Sequence, residues 1–243
     1  MLNEIVIKGY SAIYLKELDL IAISDLQIGY ESHLAEKGIF VPQIQIKQLI
    51  KNLREISFLR NAKRLLINGD LKHEFSKPTL QEIREIKEFL EFAKNIFKEI
   101  IIVKGNHDNY ILNILEEMEF PVYDPYYEEK GYCFFHGDKE IDLPECKYLI
   151  IGHEQPMILL KYGFDKIKVK ALLIGKYNKK ILIVLPAFST IASGSEINVL
   201  NKDELLSPIL KKCDLDNFDV YAIEEGFDTF YLGKLKDLRY STY

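Results

Sequence analysis

Short apolar runs of four to six residues alternate along this chain with longer stretches in which apolar positions recur every three or four residues. The first pattern marks strands and the second amphipathic helices, and their alternation predicts an α/β protein. Strands are expected at Glu4–Lys8, Leu20–Ser24, Arg64–Ile67, Glu99–Val103, Tyr132–Phe135, Lys147–Ile151, Lys168–Leu173, Ile181–Leu185, Val220–Ile223 and Thr229–Leu232. A helix is expected over Gln43–Phe58, where Ile46, Leu49, Ile50, Leu53 and Ile56 share one face and Pro42 stands just before the start. Thr79–Phe97 repeats that spacing at Ile83, Ile86, Leu90 and Ala93, with Ser76 and Thr79 as candidate caps. A third helix is expected from Asn109 to Met118, and Pro186–Ser195 reads as a polar turn region. No repeat, low-complexity tract or linker interrupts the pattern, so residues 1–243 read as one domain, richer in helix first and in strand later.

Composition changes this picture only a little. Hydrophobic residues make up 48% of the chain and charged residues 28%, the proportions of a well-cored globular protein. No stretch approaches the ~20 apolar residues of a membrane span, and the N-terminal residues lack a basic-then-apolar signal layout. A cytoplasmic protein with no membrane partner is expected. The three cysteines, Cys133, Cys146 and Cys213, are scattered and form no Cys-x-x-Cys pair, which argues against a thiolate zinc site or disulfide framework and for small buried apolar residues.

Charge adds one question. The net value of −5 argues against a surface that grips nucleic acid everywhere. Yet seven lysines and a single acid, Asp165, lie between Lys161 and Lys180. Lys166, Lys168 and Lys170 alternate with Ile167 and Val169, which puts them on one strand face. That face either meets a phosphate backbone or is plain solvated surface.

The candidate chemistry lies where strands end. Leu20–Ser24 runs into Asp25 and Gln27, Arg64–Ile67 into Asn68-Gly69-Asp70-Leu71-Lys72-His73, and Glu99–Val103 into Gly105-Asn106-His107-Asp108. Tyr132–Phe135 runs into His136-Gly137-Asp138, and Lys147–Ile151 into Gly152-His153-Glu154-Gln155. Ligands bind beyond the carboxyl ends of strands in α/β sheets, because neighbouring strand ends converge on one crevice. Glycines at 69, 105, 137 and 152 suit sharp turns that aim side chains inward. Of the five histidines in the chain, only His33 lies outside these loops; it reads as a surface residue near the start of a helix.

These segments resemble the five motifs of the calcineurin-like metallophosphoesterases, in order and in spacing, over residues 25 to 155. Gly105-Asn106-His107-Asp108 is the most specific of them. Ser24-Asp25-Leu26-Gln27-Ile28-Gly29-Tyr30-Glu31, Asn68-Gly69-Asp70-Leu71-Lys72-His73-Glu74-Phe75 and Leu185-Pro186-Ala187-Phe188 are most similar to the small archaeal phosphoesterases related to double-strand-break-repair exonucleases. The resemblance implies a four-layer α/β sandwich, two mixed β-sheets face to face with helices outside. It also implies a phosphate-containing substrate and two divalent ions, often manganese, with Mg²⁺, Ni²⁺ or Zn²⁺ as alternatives.

Carried over by resemblance, Asp70 is the bridging carboxylate, Asn106, His136 and His153 complete the second metal position, and Asp25 serves the first. His107 corresponds to the histidine that contacts the phosphate and donates a proton, with Asp108 expected to orient its ring. His73 is expected to hydrogen-bond behind the ligands, and Glu154 to face outward. The departure from the family pattern is at the first position, where Gln27 and Gln155 replace histidines. Either that position is weak or lost, or it is retuned to hard ions by an all-oxygen shell. The resulting expectation is a metal-dependent phosphoesterase acting on a phosphodiester or nucleotide. The alternative is a catalytically weakened relative kept as a binding or scaffold subunit in nucleic-acid maintenance.

Overall fold

The computed structural model describes residues 4–162 and 165–240, and its strands fall into two mixed sheets. The first sheet runs β1 (Ile13–Leu15), β2 (Leu20–Ile23), β3 (Arg64–Asn68), β4 (Glu99–Val103), β5 (Val122–Tyr123), and only β1 is antiparallel to its neighbour. Strands β2 to β4 are covered on both faces, which is why they read as unbroken apolar runs. Helices make the connections. They are α1 (Tyr30–Glu36) and α2 (Gln45–Arg60) before β3, α3 (Leu80–Ile96) before β4, and α4 (Leu112–Glu117) before β5.

Two helix starts are explained by local hydrogen bonding. At α3 the Thr79 hydroxyl accepts from the Glu82 amide while the Glu82 carboxylate accepts from the Thr79 amide, a reciprocal cap worth about 1 kcal/mol. At α2 the cap comes from elsewhere. Glu31 of α1 accepts from the amides of Ile44 and Gln45 at 2.8 Å, so the helix begins at Gln45 rather than at Gln43.

The second sheet is built from β6 (Tyr126–Glu129), β7 (Tyr132–Phe135), β8 (Tyr148–Ile151), β9 (Met157–Tyr162), β10 (Asp165–Tyr177), β11 (Lys180–Val184), β12 (Asp219–Glu224) and β13 (Asp228–Lys234). Its order is β13-β12-β10-β11-β8-β7-β6, with β7, β8 and β11 mutually parallel. The long β10 pairs with β9 over its first half and with β11 and β12 over its second.

Three apolar layers hold the sandwich together. Between the sheets, Leu20, Ala22, Leu66 and Ile101 meet Phe134, Ile150, Leu172 and Ile183. Beneath the first sheet, Ile21, Ile23, Leu65 and Ile102 pack on Leu49 and Leu53 of α2 and Ile86 and Phe89 of α3. Each such fully buried side chain contributes about 1.5–3 kcal/mol. Outside the second sheet, Phe135, Leu149, Leu173 and Leu182 are covered by Leu210, Leu215, Phe218 and Leu235. The four-layer sandwich is therefore present, and its fourth layer consists of short 3₁₀ turns and α5 (Leu235–Tyr240) rather than long helices.

Other elements depart from expectation. Glu4–Lys8 is not a strand; Val6 makes one isolated bridge to Ile13, because β1 already occupies the edge beside β2. The helix expected over Asn109–Met118 is a 3₁₀ turn at Asp108–Tyr110 followed by α4. Strands β1, β5 and β6 are too short or too polar to stand out, whereas β9, with the apolar run Met157–Leu160, was overlooked.

Candidate metal centre

The parallel strands β2, β3 and β4 end side by side, and β7 and β8 end at the same edge of the sandwich. Beyond those ends the backbone takes an unusual form. Asp25, Gln27, Asp70, His153 and Gln155 all hold left-handed conformations, with φ between 49° and 61°. Each costs a non-glycine residue about 1–2 kcal/mol, and such strain collects where side chains must be aimed. Close packing of the loops accounts for two glycines that were expected to form turns. A Cβ at Gly105 would lie 2.3 Å from the Asp70 amide, and one at Gly152 would lie 1.8 Å from Ser24 Oγ. These two are needed for space, whereas Gly69 and Gly137 do adopt positive φ.

One side of the pocket gathers Asp70, Asn106, His136 and His153. Asp70 Oδ1 is 3.2 Å from His136 Nε2, and Asn106 Oδ1 is 3.1 Å from the same nitrogen. The His153 ring lies edge-on to His136 at 5.1 Å. Asp70, His136 and His153 each place a ligand atom within 4.8 Å of the others. His136 Nδ1 is 3.0 Å from the Asn68 carbonyl and donates to it, which orients the ring as carbonyl partners orient metal-bound imidazoles.

Charge in this buried corner is settled by the pair itself. Burial works against the imidazolium of His136, but the adjacent Asp70 overrides it and raises the pKa to about 10. Burial likewise works against the Asp70 carboxylate, and His136 nevertheless holds it below its ordinary value. His153 is pushed down to about 4 by burial and by the His136 charge. Without an ion, then, the proton on His136 does a cation's work. The carboxylate, two imidazoles and an amide oxygen form a donor set that suits a divalent ion of the transition series.

The other side gathers Asp25, Gln27 and Gln155, and its donors differ. Asp25 is fully buried and accepts from Ser24 Oγ at 2.6 Å, the His153 amide at 3.1 Å and Gln155 Nε2 at 3.0 Å. Burial, reinforced by Asp70, lifts its pKa to about 7. Gln27 Nε2 donates to Asp70 Oδ2 at 3.0 Å, and its Oε1 faces His73 Nδ1 at 2.5 Å. Both glutamines thus reach the pocket, leading with their amino groups. To offer oxygen to an ion, each carboxamide must turn by half a revolution, and Gln27 must release His73.

His107 lies beside Asp70 on its more exposed side. Its amide donates to Asp70 Oδ1 at 3.2 Å, and its Nε2 is 3.8 Å from Asp70 Oδ2. Asp108 does not orient this ring. Its carboxylate accepts at 2.9 Å from the amides of Gly105, Asp70 and Leu71, so it binds two loops together, and burial next to Asp70 raises its pKa to about 6. His107 Nδ1 is buried without a partner, and Phe75 stacks on the ring at 3.7 Å.

Glu154 faces inward, not outward as expected. It is fully buried and accepts from the amides of Leu206 and Ser207 at 2.9 and 2.8 Å, fastening the fourth layer to the His153 loop. His73 does hydrogen-bond behind the ligands, through Gln27. His33 lies in α1 with its Nδ1 against the Glu74 carboxylate. Ser24 and Phe75 were missed. Ser24 had only its place before Asp25 as a signal, and Phe75 only its apolar character in a polar loop.

Comparison with known proteins decides the family. The model of the calcineurin-like phosphoesterases matches residues 18–216. The chain belongs to that family. No curated protein sequence matches this chain. The crystal structure of the Pseudomonas putida nuclease MPE superposes with a TM-score of 0.64 at 16% identity, over 88% of this chain and 89% of that one. The Escherichia coli phosphoesterase YfcE gives 0.43 at 19% identity, over 72% and 83%. At 16% identity the chain shares the nuclease's fold. No helix among the described residues is long and apolar enough to cross a membrane.

Proposed function

We propose that this phosphoesterase is a divalent-metal hydrolase of phosphodiester or nucleotide substrates that relies on one strong metal position. The observation that carries the reading is the convergence of Asp70, Asn106, His136 and His153 beside His107. A divalent ion bound there supplies a Lewis acid for a phosphate oxygen and an activated water. Asp70 keeps its charge against burial and so holds negative potential at the centre of the pocket. His107, on the exposed side of Asp70, delivers a proton to the leaving oxygen. Asp25 and the two glutamines form the weak position, ready for hard ions only after both carboxamides turn. Manganese accepts both the mixed oxygen and nitrogen donors of the strong position and the all-oxygen donors of the weak one, whereas Zn²⁺ is poorly served by the latter.

The lysine face gives little support for nucleic acid as the substrate. Lys168 pairs with Glu196, and Lys170 lies 3.2 Å from Glu225 and 2.7 Å from the Ser189 carbonyl. A phosphate backbone would have to compete with those acids.

A second reading rests on a separate observation. Phe75 covers His107, and the amino groups of Gln27 and Gln155 already satisfy the carboxylates of the first position. Both features suit a binding subunit that has lost turnover. Hydrolysis of a bis-aryl phosphodiester, with Mg²⁺, Mn²⁺, Ni²⁺ or Zn²⁺ added in turn to metal-free protein, separates the two readings. Turnover that depends on the ion and on His136 supports the hydrolase. Tight metal binding with no turnover on diesters, nucleotides or monoesters supports the binding subunit.

A further inference from the structure

Outside the pocket, His33, His73 and Glu74 bring three ligand atoms within 4.8 Å of one another. They come from two segments, the first turns of α1 and the loop after β3, and only the fold joins them. We propose that they form a further metal site, separate from the pocket, that binds a borderline divalent ion such as Zn²⁺ or Co²⁺ and keeps at least one position open to solvent. The proposal goes beyond the phosphoesterase reading and does not depend on it.

The tautomer of His73 leaves one ring nitrogen free for an ion. Gln27 donates its amino group to Asp70, so the carbonyl of Gln27 faces His73 Nδ1. That nitrogen therefore carries the proton, and the Nε2 lone pair points away from the pocket toward Glu74 Oε1, 3.8 Å away. One imidazole nitrogen tied to a carbonyl and the other aimed outward is the arrangement by which proteins prepare a histidine for a metal. Tyr30 packs edge-on against the same ring at 4.2 Å and fixes its plane.

The backbones that carry the other two ligands are also held. The Glu74 carbonyl accepts from Lys72, whose ammonium lies 3.5 Å from Glu82. The His33 amide donates to the Gly29 carbonyl at 3.1 Å, in the first turn of α1. His33 Nδ1 lies directly against the Glu74 carboxylate. Binding an ion would put two positive charges beside a single carboxylate, with both imidazoles neutral. Ligand atoms around a tetrahedral zinc lie about 3.3 Å apart. The contacts here lie on either side of that spacing, and rotation of the half-exposed side chains brings them to it.

Two histidines and a glutamate match a zinc shell with an open fourth position, and the same facial set serves other borderline ions. The side chains of His33, His73 and Glu74 remain 18%, 19% and 32% exposed, so the open position meets water or a phosphate oxygen. An ion on His73 Nε2 also keeps the proton on Nδ1, and thereby keeps Gln27 turned amino-first toward Asp70.

The test uses the metal-free full chain with Co²⁺ alone, following bound metal by equilibrium dialysis and coordination by visible absorption. The natural chain is expected to bind one equivalent that His33→Ala and Glu74→Gln each remove, and a second that only His136→Ala removes. An unchanged stoichiometry in both His33→Ala and Glu74→Gln overturns the site, as does loss of affinity under tenfold. If either variant fails to fold, crystals of the natural chain soaked in Zn²⁺ decide. Anomalous density between His33, His73 and Glu74 supports the site, and density confined to the pocket overturns it.

Discussion

The two sides of the pocket share a backbone plan and differ in their donor atoms. Asp70 and His153 on one side, and Asp25, Gln27 and Gln155 on the other, adopt the same left-handed conformation. Each side buries a carboxylate almost completely. On the His136 side a proton held by an imidazole balances that carboxylate, and a metal ion can replace the proton. On the glutamine side neutral N–H groups balance it, and an ion must first turn those groups around. The comparison shows that the loops preserve aim and burial even where the donor chemistry has changed.

The harshest way to break the comparison is to remove the imidazole. His136→Ala is expected to lower metal affinity and any metal-dependent hydrolysis by about a hundredfold or more, because even partners behind a ligand are worth 10–100-fold. Calorimetric titration with Mn²⁺ alongside a diesterase assay measures both. Unchanged affinity would place the strong position elsewhere.

Making the two sides alike is the next test. Gln27→His with Gln155→His is expected to raise Mn²⁺-supported diesterase activity about tenfold, and by more than the product of the single changes, since the residues share one ion. If the double variant binds a second ion without gaining activity, the obstacle is the Phe75-covered His107 and the binding-subunit reading is the better one.

A third test uses pH. The folded protein holds the His136 proton more tightly than the unfolded chain, with a pKa of about 10 against the ordinary 6.5. The pair's stabilisation is complete below about pH 6.5 and is lost as pH climbs through about 10. Asp25, raised from 3.8 to about 7, acts in the same direction between those values, because ionising it in the folded state is unfavourable. The melting temperature of the metal-free protein should therefore fall from pH 6 to pH 9. Saturating Mn²⁺ should reverse much of that fall, because ligation needs the deprotonated His136. A metal-free melting temperature that rises over this range would mean that the Asp70–His136 pair is not the dominant charge.

The smallest effect concerns the lid over His107. Phe75→Ala should change stability by less than about 0.5 kcal/mol, as an exposed side chain does. It should raise kcat/KM about two- to threefold by opening the ring to substrate, a change of under 1 kcal/mol in barrier. A drop in kcat/KM would show instead that Phe75 positions His107 or the substrate.

Much of this molecule was legible from residue type and order. The buried runs at Leu20–Ile23, Arg64–Asn68 and Glu99–Val103 could only be central strands, and their loops carried Asp25, Asp70 and Asn106 in the expected sequence. Short edge elements such as β1 and β5 were not legible, because a strand of two or three residues has too few positions to show a period. Asp108 misled for a related reason. A carboxylate next to a histidine in sequence looks like its partner, but the donors that claim it are backbone amides of its own loop and of the loop after β3.

By itself, the sequence determined which donor atoms are available: carboxylates at 25 and 70, imidazoles at 136 and 153, and carboxamides at 27 and 155. The tertiary structure alone decided which way those atoms turn. Gln27 leads with nitrogen because Asp70, 43 residues away, accepts from it while His73, 46 residues away, meets its oxygen. Glu154 points inward because the amides of Leu206 and Ser207 await it, and His33 meets Glu74 because α1 folds back over the loop after β3. A side chain's chemistry is local, but a hydrogen bond needs two partners, and in this fold the second partner usually lies dozens of residues away.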